Sequence, residues 1–501
     1  DVERSRGLGD VYKRQVYAPA DVKITKPGWE LTNMNSLCSI SMKEASDLIS
    51  THEVKPSELV EAHLERINTT DDKLNSFVTV LSESALSSSL IAEKEIMGGN
   101  YRGPLHGIPI GLKDLYDTAG ITTAVGSKIY RNRVPIKDAT VVSRLKEAGA
   151  IVVGKLQMHE FALGATSINP HDGPARNPWD TDRITGGSSG GSASSVSAGQ
   201  CMASLGTDTG GSIRIPAALC GIVGLKPTFG RVSRNGVFPL SWTMDNVGPM
   251  TRTVEDSALM LNAMASFDPE DPGSASHKTE DFTRKLGLSI KGLTIGVPQE
   301  YFYETTSTEV REALSEAKKV FQSLGAQVIP ISIPVLEHSL AISGTIMLTE
   351  AASVHESNLK DKAFDIGDDV RLRLTQGALY TAVDYLKAQR GRHEFNSQIK
   401  KAMETVDILL APTVGIGAPN IDDKTIVLHG VEYPALALMP RLTRPHNICG
   451  LPTISIPCGF TSSGLPIGMQ LAGRAFEDSV VIQTADAYEK VTDWGKESPD
   501  I

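Results

Sequence analysis

An α/β fold in one large domain, built around a substantially parallel sheet, is predicted by three observations. The runs HGIPIGLKD (106–114) and GAIVVGKL (149–156) are short, apolar and flanked by glycine, which reads as buried strands. Between them TVVSRLKEAG has helical spacing, so a strand, a helix and a strand follow one another. The same rhythm returns later: KGLTIGVP (291–298) is a strand, Val310, Ala313, Leu314, Ala317, Val320, Phe321 and Leu324 trace one helix face, and AQVIPISIP (326–334) is a strand again. Alternation of this kind joins parallel strands by helical crossovers.

In chain order, residues 1–15 (DVERSRGLGDVYKRQ) are charged and carry no amphipathic period, and are expected to be a non-native or disordered leader to a single domain over 16–501. Residues 41–100 read as N-terminal helices, with Leu59, Val60, His63, Leu64 and Ile67 on one face behind the turn-like Lys55-Pro56-Ser57. Residues 101–260 hold the first strand pair and a glycine- and serine-rich centre. Residues 335–405 are helical with variable polarity, as expected of a cover over a site. Three apolar runs, VDILLAPTV, PTISIPCGF and PIGMQLAG, add strands, and a helix around 477–491 closes the chain. No internal repeat is present.

Composition narrows the function. The 49 Lys+Arg against 59 Asp+Glu give a formal net charge of -10 with no basic tract, which argues against nucleic acid as a partner. The five cysteines, Cys38, Cys201, Cys220, Cys449 and Cys458, show no CxxC spacing and sit mostly in apolar segments, so reduced buried thiols are expected. No run approaches the ~18 apolar residues of a membrane helix. A cytoplasmic protein, monomeric or homodimeric, with no membrane partner is expected.

Glycine and small hydroxyl residues concentrate between Gly186 and Gly236, and three chemical readings fit such a segment. Glycine loops bind phosphate, but no G-x-x-x-x-G-K-[ST] or correctly placed G-x-G-x-x-G is present. Gly187-Ser188-Ser189-Gly190-Gly191 matches G-x-S-x-G and nominates Ser189, but a nucleophile elbow follows a buried strand and RNPWDTDRIT is polar. The third reading is a Ser–Ser–Lys arrangement, in which a buried neutral lysine activates one serine through another. GIPIGLKD supplies Lys113 for it.

The segment GGSSGGSASSVSAGQCMASLGTDTGGSIRIPAALCGIVGLKPT (186–228) resembles the signature of the amidase signature family. Agreement extends through GIPIGLKDLYDTAG, GKLQMHEFALGATSINPHDGPARNPWD, GRVSRNGVFPLSWTMDNVGPMTRTVEDSALML and RPHNICGLPTISIPCGF…LPIGMQLAG, covering about 40 to 492. The resemblance implies a mixed, mostly parallel central sheet covered by helices on both faces. It places the family's catalytic lysine on Lys113, its bridging serine with a cis peptide on Ser188, and its nucleophile on Ser212, which makes Ser189 a neighbour. No cofactor and no metal are implied.

These residue types suit amide hydrolysis. An amide carbonyl is a poor electrophile, so the reaction needs an activated hydroxyl, a sink for the oxyanion and an acid for the leaving amine. Lysine has a pKa of about 10.4, but desolvation lowers it by several units, and Ile108, Ile110 and Leu112 flank Lys113. Backbone N–H groups of Thr209, Gly210, Gly211 and Ser212 are the expected oxyanion hole.

Nearby polar residues read more simply. Asp208 and Arg214 are expected to form a structural ion pair, and His159 and His171 to be polar packing without a third ligand at metal spacing. The S-x-x-K pairs Ser315/Lys318 and Ser357/Lys360 lack a KTG partner and read as helix surface. Cys201 and Cys220 have no local His or Glu partner to make a cysteine amidase. The expected activity is hydrolysis of a small or aryl amide through a Ser212 acyl-enzyme, with esters and carbamates (a urethanase-like activity) as further small-molecule substrates. The alternative is the glutamine-hydrolysing component of a tRNA-dependent amidotransferase complex, its A chain. Ile215, where that chain has Gln, and the absence of its tyrosine- and glycine-rich segment around SNLKDKAFDIG count against it. Pocket walls are expected from 335–405 and from the loop Leu436 to His446.

Overall fold

A computed structural model describes residues 24–26, 29–31 and 34–501, with side chains from residue 36 onward. The expected leader at 1–15 lies outside the described residues.

One eleven-stranded sheet organises the chain. Its strands are β1 (Phe77–Val80), β2 (Pro109–Lys113), β3 (Ile151–Leu156), β4 (Ala203–Asp208), β5 (Val223–Lys226), β6 (Asn246–Thr251), β7 (Thr294–Pro298), β8 (Gln327–Ile331), β9 (Ile408–Pro412), β10 (Thr453–Phe460) and β11 (Pro466–Ala472). They lie in the order β8-β7-β9-β11-β10-β5-β6-β4-β2-β3-β1. The sheet is mixed, and its parallel pairs form two blocks: β2 with β3 and β4, and β7 with β8 and β9. β2–β3 and β7–β8 are the two strand–helix–strand units legible in the sequence. Pairings between the blocks are antiparallel: β10 returns directly into β11 through the turn at 461–465, whereas β4 with β6, β5 with β10 and β9 with β11 join strands that are not consecutive. β1 pairs antiparallel with β3 at the edge.

Strand β1 lies inside the stretch that spacing alone reads as helical. Asn75 ends the preceding helix in the left-handed conformation (φ 51°), which turns the chain back, and the β-branched pattern of Phe-Val-Thr-Val then fits the sheet edge.

The helices that matter for the site are α1 (Pro56–Leu74), α2 (Thr140–Glu147), α3 (Gly190–Ser197), α4 (Arg214–Cys220), α5 (Val254–Met264), α6 (Ser339–Val354), α7 (Asp368–Leu379) and α8 (Ala382–Met403). Strand β3 shows that both sheet faces are covered. Its Ile151 and Val153 join a cluster with Val60 and Ile67 of α1, Val196 of α3 and Ala217 of α4. Val152, pointing the other way by the two-residue period, packs on a second cluster holding Val141 and Val142 of α2 and Met260 of α5. Ser315 and Lys318 lie on the helix Thr308–Ser323, whose buried side is Val310, Leu314, Ala317 and Phe321, and Ser357 and Lys360 are exposed. Among the described residues no helix is long and apolar enough to cross a membrane.

Helix α6 packs on both α7 and α8, and α6 and α8 also touch the short helix Arg444–Ile448. Close approach of α7 to α6 depends on Gly377: a β-carbon there would meet the Leu348 carbonyl oxygen at 2.0 Å. Gly377→Ala is expected to separate the two helices and cost about 1–3 kcal/mol, read as a lower urea midpoint at unchanged m-value.

Candidate active site

Lys113 ends β2, a strand buried along its whole length. Its side chain has no exposure, and its Nζ lies 2.7 Å from Ser188 Oγ, 2.9 Å from Ser189 Oγ and 2.9 Å from Thr207 Oγ1. Parallel pairing of β2 with β4 brings Thr207 to the lysine. The two serines arrive from the turn before α3, where the Gly187–Ser188 peptide is cis and Ser189 precedes the helix. Small residues let this turn press into the core: a β-carbon on Gly191 would meet the Ser76 carbonyl at 2.4 Å, and one on Gly187 would meet the Ser167 nitrogen at 2.7 Å.

Burial drives the Lys113 pKa from its ordinary value to about 7, with the charges of Asp208 and Asp245 pulling weakly upward. Two other lysines are equally buried and differ in their partners. Lys155 on β3 has an ion-pair partner, Asp114 at 3.2 Å, and also donates to the Tyr116 carbonyl and Thr123 Oγ1. Lys226 on β5 donates to its neighbour's carbonyl, Pro227 O. Lys113 is the one surrounded by hydroxyls.

The loop from Asp208 to Arg214 carries Ser212, which keeps 9% of its surface exposed, whereas Ser188 and Ser189 keep none. The two serine segments are tied together by Ser189 N–H donating to the Ser212 carbonyl at 3.3 Å. Asp208 shapes the loop. Its carboxylate accepts from the N–H groups of Gly211 (2.8 Å), Ile213 (3.3 Å) and Arg214 (3.4 Å), and from the Arg214 guanidinium at 2.9 and 3.0 Å. Burial alone would raise this carboxyl, but the Arg214 charge and hydrogen bonds hold it well below the usual carboxylate range. Arg214 is completed by Gln470 Oε1 at 2.8 Å and Asn447 Oδ1 at 2.7 Å. The pair is thus a buried structural one, as its spacing predicts. Asp208→Asn is expected to leave Arg214 uncompensated and to cost about 3–5 kcal/mol, measured by denaturant titration.

This arrangement corrects one expectation. The Gly211 N–H is already engaged by Asp208 and is not free to bind an oxyanion, whereas the N–H groups of Thr209, Gly210 and Ser212 make no hydrogen bond among the described residues. Glycine is still required at 211, where φ is +125° and a β-carbon would meet Thr443 Oγ1 at 2.1 Å. Thr209 Oγ1 donates to Asp245 at 2.5 Å, and burial pushes that carboxyl up to about 6.

Other residues singled out in the sequence sit as packing. His159 contacts Asp369 at 3.0 Å and gives its backbone N–H to the Ser188 carbonyl; His171 contacts Glu160 at 2.8 Å. All five cysteines are free thiols, and burial raises the pKa of Cys201 to about 12. Among the described residues no group of three His, Cys, Asp or Glu side chains could hold a metal ion. A cavity of about 570 Å³ borders the site on the lysine side, with Thr207, Thr209, Phe238, Trp242, Asp245 and Arg392 in its wall.

Spacing does not reveal Thr207, Asp245, Arg373 and Arg444. Arg444 belongs to the 436–446 loop and Arg373 to the 335–405 cover, which the sequence marks as walls without singling out a residue. Arg373 donates to the Leu163 carbonyl at 3.0 Å, and Arg444 lies beside Gly210.

The model of the amidase family matches residues 58–482. The chain is similar to the A chain of the glutamyl-tRNA(Gln) amidotransferase of Persephonella marina, at 40% identity over 92% of this chain and 99% of that one. Among solved structures it resembles a chain from a vestigial protein complex bearing on the origins of an s-triazine catabolic enzyme, with a TM-score of 0.87, 35% identity and 90% and 98% of the two chains covered. It also resembles a bacterial aryl acylamidase of the amidase signature enzymes, with a TM-score of 0.84, 27% identity and 91% and 97% covered.

Proposed function

This chain belongs to the amidase signature family, and from that premise we propose that it hydrolyses the C–N bond of an amide through an acyl-enzyme on Ser212. The observation that carries this reading is the 2.7 Å contact between a buried, charge-poor Lys113 and Ser188 Oγ.

A neutral amine has two N–H donors and one lone pair. Ser189 Oγ donates to the Thr207 carbonyl at 3.3 Å, so toward Lys113 it accepts. Thr207 Oγ1 takes the second N–H, and the lone pair is left for the Ser188 hydroxyl, the nearest of the three. In the reaction Ser188 O–H passes its proton to Lys113 Nζ and takes the proton of Ser212 Oγ, which forms a C–O bond to the carbonyl carbon. Thr209, Gly210 and Ser212 N–H groups stabilise the oxyanion. As the C–N bond breaks, the relay runs backward and delivers the proton to the leaving nitrogen. Water repeats the cycle, releasing the acid and regenerating Ser212.

We assign the side-chain amide of glutamine first, in a complex with partner proteins, because similarity to the A chain of an amidotransferase extends over 99% of that chain. The second reading is a free hydrolase of small or aryl amides, esters and carbamates. It is favoured by Ile215, which packs against Gly186 and Gly211 where the amidotransferase chain has Gln, and by the likeness to the aryl acylamidase. A hydrolysis panel of glutamine, p-nitroacetanilide, an ester and a carbamate on the purified chain separates them. Ammonia from glutamine alone supports the first, and anilide turnover supports the second. Failure to form a Ser212 acyl adduct with any of them, by intact mass, would remove both.

A further inference from the structure

Resting on that hydrolase reading, we propose that Arg444 is a specificity-determining anion-binding residue, so that the amide hydrolysed carries a carboxylate on a short acyl chain. Three observations lead there. Arg444 begins the short helix Arg444–Ile448 and lies against the glycine loop that carries Ser212: a β-carbon on Gly210 would stand 3.6 Å from its Cγ and 3.7 Å from its Nε. Across from that loop, a β-carbon on Gly344 of α6 would stand 3.5 Å from its Nη1. The guanidinium therefore lies between the expected oxyanion donors and the helical cover, at a point where both walls are glycine.

The second observation is that the Arg444 guanidinium has no partner. Its Nε is buried without an acceptor, and among the described residues its side chain makes no hydrogen bond or ion pair. Each neighbouring arginine has a carboxylate, carbonyl or amide partner on its guanidinium, although the Arg441 Nε is, like that of Arg444, buried without an acceptor. Arg214 has Asp208, Gln470 and Asn447; Arg373 has the Leu163 carbonyl and faces Asp369 at 3.9 Å; Arg441 has Glu304 at 3.2 Å; Arg392 has the Ile448 and Thr243 carbonyls. A shielded, unpaired guanidinium is costly to keep, and its planar fork matches a carboxylate in two parallel hydrogen bonds.

Third, Arg444 keeps its charge. Burial pushes the Arg444 pKa down to about 10, with Tyr301 pulling it upward and the nearby Arg373 charge lowering it further, so it remains cationic at neutral pH. The charge is thus concentrated beside the carbonyl-holding loop, and an anion reaching it must hang from the acyl part of the substrate. Pairing of Arg444 with that carboxylate sets the scissile carbonyl against Gly210.

The test compares succinamate with levulinamide, its neutral isostere, on the wild-type chain and on Arg444→Met, with malonamate and glutaramate to set chain length. Wild type is expected to favour the best of the three carboxylated amides by about 100-fold in kcat/KM. In Arg444→Met that ratio collapses toward one, through a rise in KM for the charged amide. Arg444→Lys, which keeps the cation without the fork, retains part of the preference and guards against a misfolded Met variant. Equal wild-type turnover of charged and neutral amides, or an unchanged ratio in Arg444→Met, overturns the proposal. A catalysis-free arm uses calorimetry of malonate, succinate and glutarate binding to Ser212→Ala, where Arg444→Met is expected to weaken the tightest by at least about tenfold. Arg444-dependent binding without turnover of any amide would sink the hydrolase reading and leave the anion site standing. No binding of the diacids, or binding indifferent to residue 444, would sink the anion site whatever is hydrolysed.

Discussion

Ser212→Ala is expected to lower kcat on any hydrolysed amide by about 10⁴–10⁶-fold, because it removes the atom that forms the acyl bond while leaving the oxyanion donors in place. Ser212 sits at the rim of the buried loop and its side chain is not among the loop's hydrogen-bonding groups, so the variant should melt with the wild type. Ser188→Ala interrupts the relay and should approach the same loss without changing KM greatly, since residues acting as a unit are not additive. Ser189 is the discriminating control. Its Oγ accepts from Lys113 and from the Thr207 N–H, and its side chain is fully buried. Ser189→Ala removes an orienting contact and is expected to cost about tenfold. If Ser189→Ala abolished turnover while Ser212→Ala kept it, the G-x-S-x-G reading of this segment would be right. A slow ester gives a direct readout, because an acyl adduct trapped on wild type must be missing from Ser212→Ala.

How far the chain alone reveals this site depends on which interactions are local. The strand–helix–strand units at 106–156 and 291–334 are local in sequence, and their parallel pairing is found as expected. The antiparallel centre is not local: β5, for instance, pairs with β10, which begins at Thr453, and no periodicity encodes so distant a neighbour. The same holds within the site. Asp208 and Arg214 flank one short loop and are legible as a pair. The capture of the Gly211 N–H by Asp208 depends on the loop's closing geometry, so spacing alone counts that N–H among the oxyanion donors. Three lysines, Lys113, Lys155 and Lys226, end or occupy buried strands with similar flanks. Only the fold shows that one meets hydroxyls, one a carboxylate and one a carbonyl. Arg444 is hidden for the related reason that its significance lies in the partners it lacks.

Lys113→Met should therefore separate a catalytic base from a structural lysine by two signs at once. As the base, Lys113 must be neutral, so wild-type log kcat/KM is expected to rise with unit slope below about pH 7 and to level above it. Lys113→Met should lose about 10²–10⁴-fold and lose that limb. Asp245, at about 6, is the competing titrant, and an inflection surviving in Lys113→Met but abolished in Asp245→Asn would transfer the limb to it. Stability supplies the second sign. The folded-state pKa lies below the unfolded value of about 10.5, so between about pH 7 and 10.5 the unfolded chain binds the extra proton. Stability contributed by this group therefore rises with pH across that window, and below about pH 7 the full cost of keeping the amine buried is felt. Replacing Lys113 by methionine removes the cost, and the variant should be as stable as wild type or more so, most visibly in mild acid. Lys155→Met should do the reverse: it strands the Asp114 carboxylate inside the sheet and is expected to lose about 3–5 kcal/mol. A Lys113→Met variant that is inactive and equally destabilised would reduce Lys113 to the same structural role as Lys155, and the proposed relay with it.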